Sequence, residues 1–247
     1  MKIQLVSDTH LEMRTSYLEK FVDDMSAGSD ADVLVMAGDI CSLKSSVQLG
    51  IAIGLLHTRY KHIVYVFGNH EFGGTSPLIA QSNANKITLQ YPNFHVLDNA
   101  AVILDGQRFV GGTGWYPKQS DNFLYEFGMY DFKYIKDFDP WVYAQNRLFN
   151  DSMRIVEPDD IVVMHHLPTE YSIHHRFANN QLNRFFLCDI SEAIEAKRPK
   201  YVLHGHTHED CDYYIYHTKV YAAPCGYPSE RQAVSGTFYK GLTFETP

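Results

Sequence analysis

Residues 63–71 read Ile-Val-Tyr-Val-Phe-Gly-Asn-His-Glu, a run in which five apolar residues give way abruptly to polar ones. The apolar part is rich in β-branched and aromatic side chains, which predicts a short buried strand. The strand breaks at Gly68 into Asn69, His70 and Glu71, and a protein core would hold such side chains only with polar partners. Because ligands of open α/β sheets collect beyond the carboxyl ends of the strands, these three residues are predicted to lie at a functional edge.

Four other short apolar runs end in the same way. The predicted strands at 3–6, 33–37, 161–164 and 201–203 lead into Ser7-Asp8-Thr9-His10, Gly38-Asp39, His165-His166 and His204-Gly205-His206-Thr207-His208. Five strands that deliver Asp, His and Asn to what could be one edge indicate a metal centre. These oxygen and nitrogen ligands suit Mn, Fe, Zn or Co. A structural zinc site is disfavoured because none of these motifs contains cysteine.

Composition narrows the class of protein. The chain has 247 residues and a net charge of −8, from 29 acidic and 21 basic residues. A net negative charge does not favour binding to long nucleic acid or to an anionic membrane, both of which attract positively charged proteins. The four cysteines are widely spaced, which favours reduced thiols in a cytoplasmic protein. We expect no signal peptide and no membrane span, since the longest apolar run, residues 50–56, is far too short.

The order of the predicted elements favours a single domain over residues 1–247. The first seventy residues read β-α-β-α-β, which implies a parallel sheet. Short strands follow between residues 94 and 111, with Asp105-Gly106 as a hairpin turn, and helices are predicted at 140–156 and 190–197. From Tyr213 onward, alternating runs at Tyr214–Tyr216, Val220–Ala222 and Phe238–Leu242 suggest an antiparallel second sheet.

Residues 115–143 contain a cluster of aromatic side chains without a clean period. Two interpretations stay open for this stretch: an irregular cover over the core, which we favour, or a lid over a substrate. Together with the irregular region 172–184, it is expected to shape the pocket.

The polar motifs also carry a family resemblance. As an ordered set they resemble the five motifs of the calcineurin-like metallophosphoesterases: Asp8-x-His10, Gly38-Asp39, Gly68-Asn69-His70-Glu71, His165-His166 and Gly205-His206-Thr207-His208. Each motif alone is weak, but the ordered set spans residues 8–208 and is specific. Met129-Tyr130-Asp131-Phe132-Lys133 and Cys225-Gly226-Tyr227-Pro228 further resemble a bacterial-type branch whose substrates are mostly unassigned. Relatives often carry Arg at the position of Cys225, so their specificity does not transfer directly.

The resemblance implies an α/β fold: a two-sheet β-sandwich flanked by helices, in four layers α/β/β/α, with mixed sheets that begin with the β-α-β-α-β unit. It also implies two divalent metal ions, Mn first, with Fe, Zn, Co or Ni as alternatives. By this resemblance, one ion would be held by Asp8, His10 and His208, and the other by Asn69, His165 and His206. Asp39 would bridge both ions. Two such ions ~3.5–4 Å apart would give an attacking hydroxide near neutral pH.

The resemblance assigns a catalytic role to His70, which would protonate the leaving alkoxide or stabilise phosphoryl charge. Substrate contacts are predicted at Asn69, His166, His204, His175 and Arg176. For His166 and His204 the competing interpretation is plain packing, and for His175 and Arg176 it is a solvated surface.

The sequence therefore predicts a dinuclear metal-dependent phosphoesterase that hydrolyses phosphomonoesters or phosphodiesters, with a small phosphorylated molecule as substrate. The alternatives are a non-catalytic binding or scaffold module on the same fold, and a nuclease or cyclic-nucleotide phosphodiesterase. The complete ligand set disfavours the first, and the acidic balance disfavours long nucleic acid. The oligomeric state is left open.

Overall fold

The computed structural model describes residues 1–231 and 239–246 of the chain. Its strands are β1 Lys2–Val6, β2 Val33–Ala37, β3 His62–Val66, β4 Phe94–Val96, β5 Ala100–Leu104, β6 Gln107–Gly111, β7 Ile161–Val163, β8 Tyr201–His204, β9 Cys211–Ile215, β10 Thr218–Ala222 and β11 Leu242–Glu245. They form a five-stranded sheet of order β11-β1-β2-β3-β4 and a six-stranded sheet of order β5-β6-β7-β8-β10-β9.

Both sheets are mixed, with a parallel centre and antiparallel edges. In the first sheet β1 to β4 pair in parallel, and β11 joins β1 antiparallel. In the second sheet β6, β7, β8 and β10 pair in parallel, while β5 and β9 are antiparallel edge strands. The carboxyl ends of the parallel strands therefore lie together at one end of each sheet.

The helices cover the outer faces of the sheets. They are α1 Leu18–Ser26, α2 Val47–Leu56, α3 Pro77–Thr88, α4 Tyr130–Tyr134, α5 Phe138–Met153, α6 Ser191–Lys197 and α7 Pro228–Arg231. Helix α1 provides the first helix of the predicted β-α-β-α-β unit, and Leu18, Val22 and Met25 lie on its buried face. Helix α3 begins with Pro77, whose fixed φ and missing N–H suit the first helical turn.

Three apolar clusters separate the layers. The cluster between the sheets joins strand residues of the first sheet, such as Leu5, Val35 and Val64, to Phe109 and Ile161 of the second. A second cluster packs α1, α2 and α3 against the outer face of the first sheet. A third packs α5 and α6 against the outer face of the second sheet. The predicted four-layer α/β/β/α sandwich is confirmed.

The hairpin at Asp105-Gly106 is also confirmed. Both residues have positive φ, 49° and 86°, and Leu104 pairs with Gln107 across the two-residue loop. Positive φ at both central positions is the geometry of a type I′ turn, which matches the twist of the flanking strands.

The predictions for the tail were wrong in part. We expected the runs after Tyr213 to form an antiparallel second sheet, and β9 and β10 do pair antiparallel. However, β9 and β10 extend the second sheet, where β10 pairs in parallel with β8, and β11 joins the first sheet beside β1. Local alternation predicts a strand but does not identify its partner, which is why this prediction failed. Phe238 lies outside the described residues.

Within the described ranges, every helix is too short or too polar to span a lipid bilayer.

Candidate metal centre

The loops that follow five parallel strands meet at the carboxyl ends of the two sheets. Three loops come from β1, β2 and β3 of the first sheet, and two come from β7 and β8 of the second. Hydrogen bonds cross between the sheets: the His165 Nδ1–H donates to the Ala37 carbonyl at 2.9 Å, and the His206 backbone N–H donates to the Asp8 carboxylate at 3.1 Å. The predicted ligands thus lie on the facing ends of two sheets, not on one edge.

These loops share an unusual backbone conformation. Five of the seven predicted metal ligands have left-handed φ values between 43° and 68°: Asp8, His10, Asp39, His206 and His208. A residue other than glycine is held in this region only where the surrounding structure compensates the strain, which is common at functional sites.

One ligand group contains Asp8, His10 and His208, whose ligating atoms all lie within 4.8 Å of one another. The Nε2 atoms of the two histidines are 3.3 Å apart, and His208 Nε2 is 3.4 Å from Asp8 Oδ1. The opposite ring nitrogens face carboxylates: His10 Nδ1 is 3.4 Å from Glu12, and His208 Nδ1 is 2.8 Å from Glu230. Both rings therefore point Nε2 toward the Asp8 carboxylate.

The second ligand group contains Asp39, His165 and His206, also within 4.8 Å. His165 Nε2 lies 3.1 Å from His206 Nδ1, 3.3 Å from Asn69 Oδ1 and 3.4 Å from Asp39 Oδ1. Since the Ala37 carbonyl can only accept, His165 carries its hydrogen on Nδ1 and presents Nε2 to the group. Asn69 thus joins the residues with which the family resemblance placed it.

The pKa values in the second group follow from burial and mutual attraction. Burial alone would lower the pKa of His165, but the Asp39 carboxylate outweighs burial and raises that pKa to about 10. Burial raises the pKa of Asp39, yet His165 and His70 hold it well below its usual range. Asp39 is therefore ionised, as a metal ligand has to be.

Asp131 determines the orientation of the Asn69 amide. Its buried carboxylate accepts a hydrogen bond of 2.9 Å from Asn69 Nδ2. Because the amide nitrogen is engaged there, the amide oxygen is directed toward His165 and its neighbours. An amide oxygen is the atom with which asparagine binds a cation.

His70 stands beside both ligand groups. Its backbone N–H donates to Asp39 Oδ1 at 2.8 Å, and its ring stacks on Tyr130 at 5.2 Å. Its Nδ1 is 3.5 Å from Glu12 and its Nε2 is 3.3 Å from the Tyr227 hydroxyl. Burial lowers the pKa of His70, but the Asp39 and Glu12 carboxylates outweigh burial and raise it to about 9.

No role was predicted from the sequence for four acidic residues near the site: Glu12, Glu71, Asp131 and Glu230. Glu12 places one oxygen near the Nδ1 atoms of both His10 and His70. Burial raises the pKa of Glu12, but the two histidines outweigh burial and lower it to about 2. Glu71 belongs to the quoted motif Gly68-Asn69-His70-Glu71 but had no predicted role there, and Glu12 follows Asp8-x-His10 by two residues.

Glu71 ties together the loops after β2 and β3. Its fully buried carboxylate accepts backbone hydrogen bonds from Asp39, Ile40 and Gly68 at 2.8–3.0 Å, and a fourth from the Tyr65 hydroxyl. Burial and the Asp39 charge raise the pKa of Glu71 to about 7. This residue therefore fixes the position of Asp39 without facing the site.

The donor set fits divalent cations. Histidines that bind metals usually donate their second ring N–H to a carboxylate or a carbonyl. His208 and His165 are placed in this way, whereas His10 Nδ1 faces Glu12 at 3.4 Å without a hydrogen bond to any described residue. His206 directs Nδ1 at the second group, while its buried Nε2 has no hydrogen-bond partner among the described residues. Carboxylate, imidazole and amide ligands without thiolates suit Mn, Fe, Zn, Co or Ni.

The predicted substrate contacts divide into two sets. His166 and His204 are fully buried: His166 Nδ1 donates to the Thr113 carbonyl at 3.2 Å, and His204 Nε2 accepts from Ser172 at 2.9 Å. Burial lowers the pKa of His166 to about 3 and that of His204 to about 4, so both are neutral. Their burial favours the packing interpretation over direct substrate contact.

The second set of predicted substrate contacts, His175 and Arg176, is exposed to solvent. Arg176 lines a cleft that opens at the metal centre and forms an ion pair of 2.7 Å with Glu209. His175 is exposed, and its neighbour His174 lines the cleft in its place. A 3₁₀ turn over His175–Phe177 turns the two neighbours in different directions, which the sequence did not indicate.

The cleft has a volume of about 380 Å³ and includes Asp39, Asn69, His70, His206 and His208 at one end. Its other walls come from Gly128–Asp131 and from the region after His165. The expectation that residues 115–143 and 172–184 shape the pocket is thus confirmed for these parts of them. Trp115, Tyr116 and Phe138 are instead buried in the core, as a cover would be. Whether the stretch moves as a lid stays a prediction.

Relatives often carry Arg at the position of Cys225, and in this chain the guanidinium of Arg14 lies beside that cysteine. Arg14, 4% exposed, places Nη2 3.2 Å from Cys225 Sγ and donates to the Gly226 carbonyl at 2.9 Å. The following residue, Tyr227, packs its ring on His10 and His208 at 4.5 and 4.7 Å. Arg14 therefore supports the segment that covers the first ligand group.

Comparison with known proteins agrees with this architecture. The family model of the calcineurin-like phosphoesterases matches residues 1–210. The structure is similar to that of phosphopantetheinyl hydrolase from Mycobacterium tuberculosis, with a TM-score of 0.71, 12% identity and coverage of 98% of this chain and 95% of that one. It is also similar to the protein TT1561 of Thermus thermophilus, with a TM-score of 0.60, 14% identity and coverage of 90% and 88%. No curated protein matches the sequence significantly. At these identities the structural likeness establishes the fold alone.

Proposed function

We propose, from the premise that this chain belongs to the calcineurin-like phosphoesterase family, that it is a dinuclear metal-dependent hydrolase of phosphate esters. The observation that carries the proposal is the convergence of seven side chains from five separate loops into two ligand groups. One group contains Asp8, His10 and His208, and the other contains Asp39, Asn69, His165 and His206. The expected bridging role of Asp39 is part of the proposal.

When bound, two divalent cations would supply positive charge for phosphate oxygens and lower the pKa of a water enough to give hydroxide near neutral pH. We favour Mn²⁺, with Fe, Zn, Co or Ni as alternatives. Asp8 and Asp39 offset part of the cationic charge, while the neutral Asn69 adds a ligand without adding charge. The remaining steps depend on the chain's own side chains.

His70 is the residue that would deliver a proton to the leaving alkoxide. It lines the cleft, and its Nε2 lies on the side of Tyr227 while Nδ1 faces Glu12. With Nδ1 facing a carboxylate, Nε2, now 3.3 Å from the Tyr227 hydroxyl, is the nitrogen that would donate to a substrate oxygen. Tyr130 stacks on the ring and limits its rotation.

The proposal is tested by hydrolysis assays with Mn²⁺ on p-nitrophenyl phosphate, bis(p-nitrophenyl) phosphate and p-nitrophenyl phenylphosphonate. We expect two metal ions per chain by elemental analysis, and turnover that His70→Ala or Asp39→Asn reduces by on the order of 10²-fold or more. His217→Ala is the matched control, because His217 is exposed in the turn between β9 and β10 and belongs neither to the ligand groups nor to the cleft.

Relative rates on the three substrates would separate monoesterase from diesterase activity. No turnover with any of the metals, at confirmed occupancy of both sites, would contradict the proposal and favour a non-catalytic binding module on the same fold. A cytoplasmic location and one domain over residues 1–247 complete the proposal.

A further inference from the structure

The walls of the cleft beyond the metal centre are mainly apolar. One wall is formed by Met129 and Tyr130, which precede and begin α4, and Tyr130 stays 41% exposed. The opposite wall follows His165 and contains the apolar residues Leu167, Ile173, Phe177, Leu182 and Phe186, with the polar residues His174, Arg176, Asn180 and Asn183 between them. Apolar side chains that stay partly exposed beside polar catalytic groups are typical of small-molecule sites.

The two walls approach each other at the far end of the cleft. A Cβ placed on Gly128 would lie 3.6 Å from a Leu182 methyl group, an ordinary van der Waals distance. Phe186 lies at the inner end, with its ring 4.5 Å from that of His206. The space between the metal centre and this apolar end is therefore bounded along its length.

Charge is distributed unevenly in the cleft. Among its described lining residues, Arg176 is the one lysine or arginine, and it is already paired with Glu209 at 2.7 Å and stacked over Phe177 at 4.6 Å. Asp131 and Glu230 add negative charge to the lining. Away from the metal ligands, the described part of the cleft thus offers no unpaired lysine or arginine to a second anionic group.

We infer, on the basis of the proposed function, that the substrate is a phosphate ester whose alcohol portion is uncharged and largely apolar. The phosphate would lie at the two ligand groups, and the alcohol portion would lie between Met129–Tyr130 and the Phe177–Phe186 wall. Esters that carry a second phosphate or a carboxylate on the alcohol portion would be selected against, because the cleft offers that anion carboxylates and apolar surface.

The test measures binding of non-hydrolysable alkylphosphonates to the Mn²⁺-loaded protein by calorimetry. Methyl-, butyl- and hexylphosphonate share one head group and differ in apolar length. We expect affinity to rise on the order of threefold per added methylene until the cleft is filled. A matched charged ligand, 6-phosphonohexanoate, should bind at least about tenfold more weakly than hexylphosphonate, since its carboxylate would be desolvated without a partner.

Variants assign the effect to the cleft walls. Leu182→Asn and Phe177→Ser, which replace apolar wall residues by polar ones, should reduce the hexyl-to-methyl affinity ratio at least about threefold. Phe127→Ser is the matched control, because Phe127 is 76% exposed and does not line the cleft. This control should leave the ratio unchanged.

Affinities that are equal across the alkyl series, equal affinity for the carboxylate analogue, or no binding of any phosphonate would each overturn the inference. Hydrolysis of butyl and hexyl phosphate, measured in parallel by phosphate release, tests the proposed function separately. Chain-length-dependent binding without hydrolysis would support the inference and count against the enzyme. Hydrolysis without any dependence of binding on chain length would support the proposed enzyme and overturn the inference about its substrate.

Discussion

Asn69 is a neutral ligand whose usefulness depends on which end of its amide faces the site. An asparagine side chain can rotate by half a turn at little cost in free energy, and only a neighbour that accepts from the nitrogen fixes the oxygen. Asp131 is that neighbour, at 2.9 Å. Replacing a residue that orients a ligand in this way typically lowers metal affinity by about 10- to 100-fold.

Replacing Asp131 by leucine should therefore weaken metal binding at the second ligand group by about 10- to 100-fold. Titration with Mn²⁺ should show one site close to wild-type affinity and one weakened site. Asp131→Asn is the matched control, since its amide oxygen can still accept from Asn69, and it should lose less affinity. Equal affinity of both sites in Asp131→Leu would contradict this role.

Glu12 is the second residue that acts through others. Its carboxylate lies 3.4 Å from the Nδ1 of His10 and 3.5 Å from the Nδ1 of His70. One half-buried carboxylate thus lies beside the rings of a predicted metal ligand and of the proposed proton donor.

Glu12→Gln should lower kcat on the order of tenfold with a smaller change in KM, because the glutamine amide orients His70 less firmly. The double variant Glu12→Gln/His70→Ala should be no slower than His70→Ala alone, because both changes act on one proton donor. Metal content is the control and should stay at two ions per chain. Additive losses in the double variant would show that Glu12 does not act through His70.

At the scale of elements, the site depends on how closely the loop after β8 approaches the loops after β1 and β2. Gly205 lies at this contact. A Cβ there would meet Asp8 Oδ2 at 2.7 Å, and the Ala37 carbonyl and the Ser7 Cβ at 2.8 Å each. Two of these neighbours are backbone or Cβ atoms, so they cannot move aside without a shift of a strand end.

Gly205→Ala should accordingly lower the free energy of unfolding by about 1–3 kcal/mol and displace the Asp8 carboxylate, with loss of metal affinity at the first group. Gly50→Ala, in the middle of α2 with no atom within 4 Å of the added carbon, is the control. It should be neutral or stabilising by up to about 1 kcal/mol, since alanine favours a helix more than glycine does. Urea unfolding measures both, and equal effects would refute the steric argument.

At the scale of the whole molecule, the proposed metal centre lies where the two sheets meet. Its ligands follow β1, β2 and β3 on one side and β7 and β8 on the other, so bound cations would link layers that otherwise meet through the apolar core between them. Ligands that bind only the folded state stabilise it by mass action.

Removing metal with a chelator should therefore lower the melting temperature. Mn²⁺ at about a hundred times its dissociation constant contributes about 2.7 kcal/mol per site, and each kcal/mol corresponds to about 2–4 °C for a chain of this size. We expect a rise of at least about 5 °C on adding Mn²⁺, measured by differential scanning fluorimetry. Asp39→Asn should remove most of this rise, whereas His217→Ala should keep it. A melting temperature independent of Mn²⁺ would contradict the proposed centre.

The sequence by itself determined the strands that carry the site and the polar side chains that follow them and converge there. The reason is local: a buried strand has to be apolar, and a polar residue at its end is visible as an abrupt change, as in Val66-Phe67-Gly68-Asn69. The ordered motifs then identified the family, and the four-layer fold came with it.

Only the tertiary structure decided which strands are neighbours and which single residues support the ligands. Strand partners depend on packing of whole layers, so the tail strands β10 and β11 joined different sheets. Glu12 contacts His70, which lies in another loop. Asp131 contacts Asn69, which is 62 positions away in the sequence. His166 and His204 resemble site residues in sequence, but their burial became visible only when the loops were folded around them. Such contacts leave no periodic pattern in a chain, because each is made once.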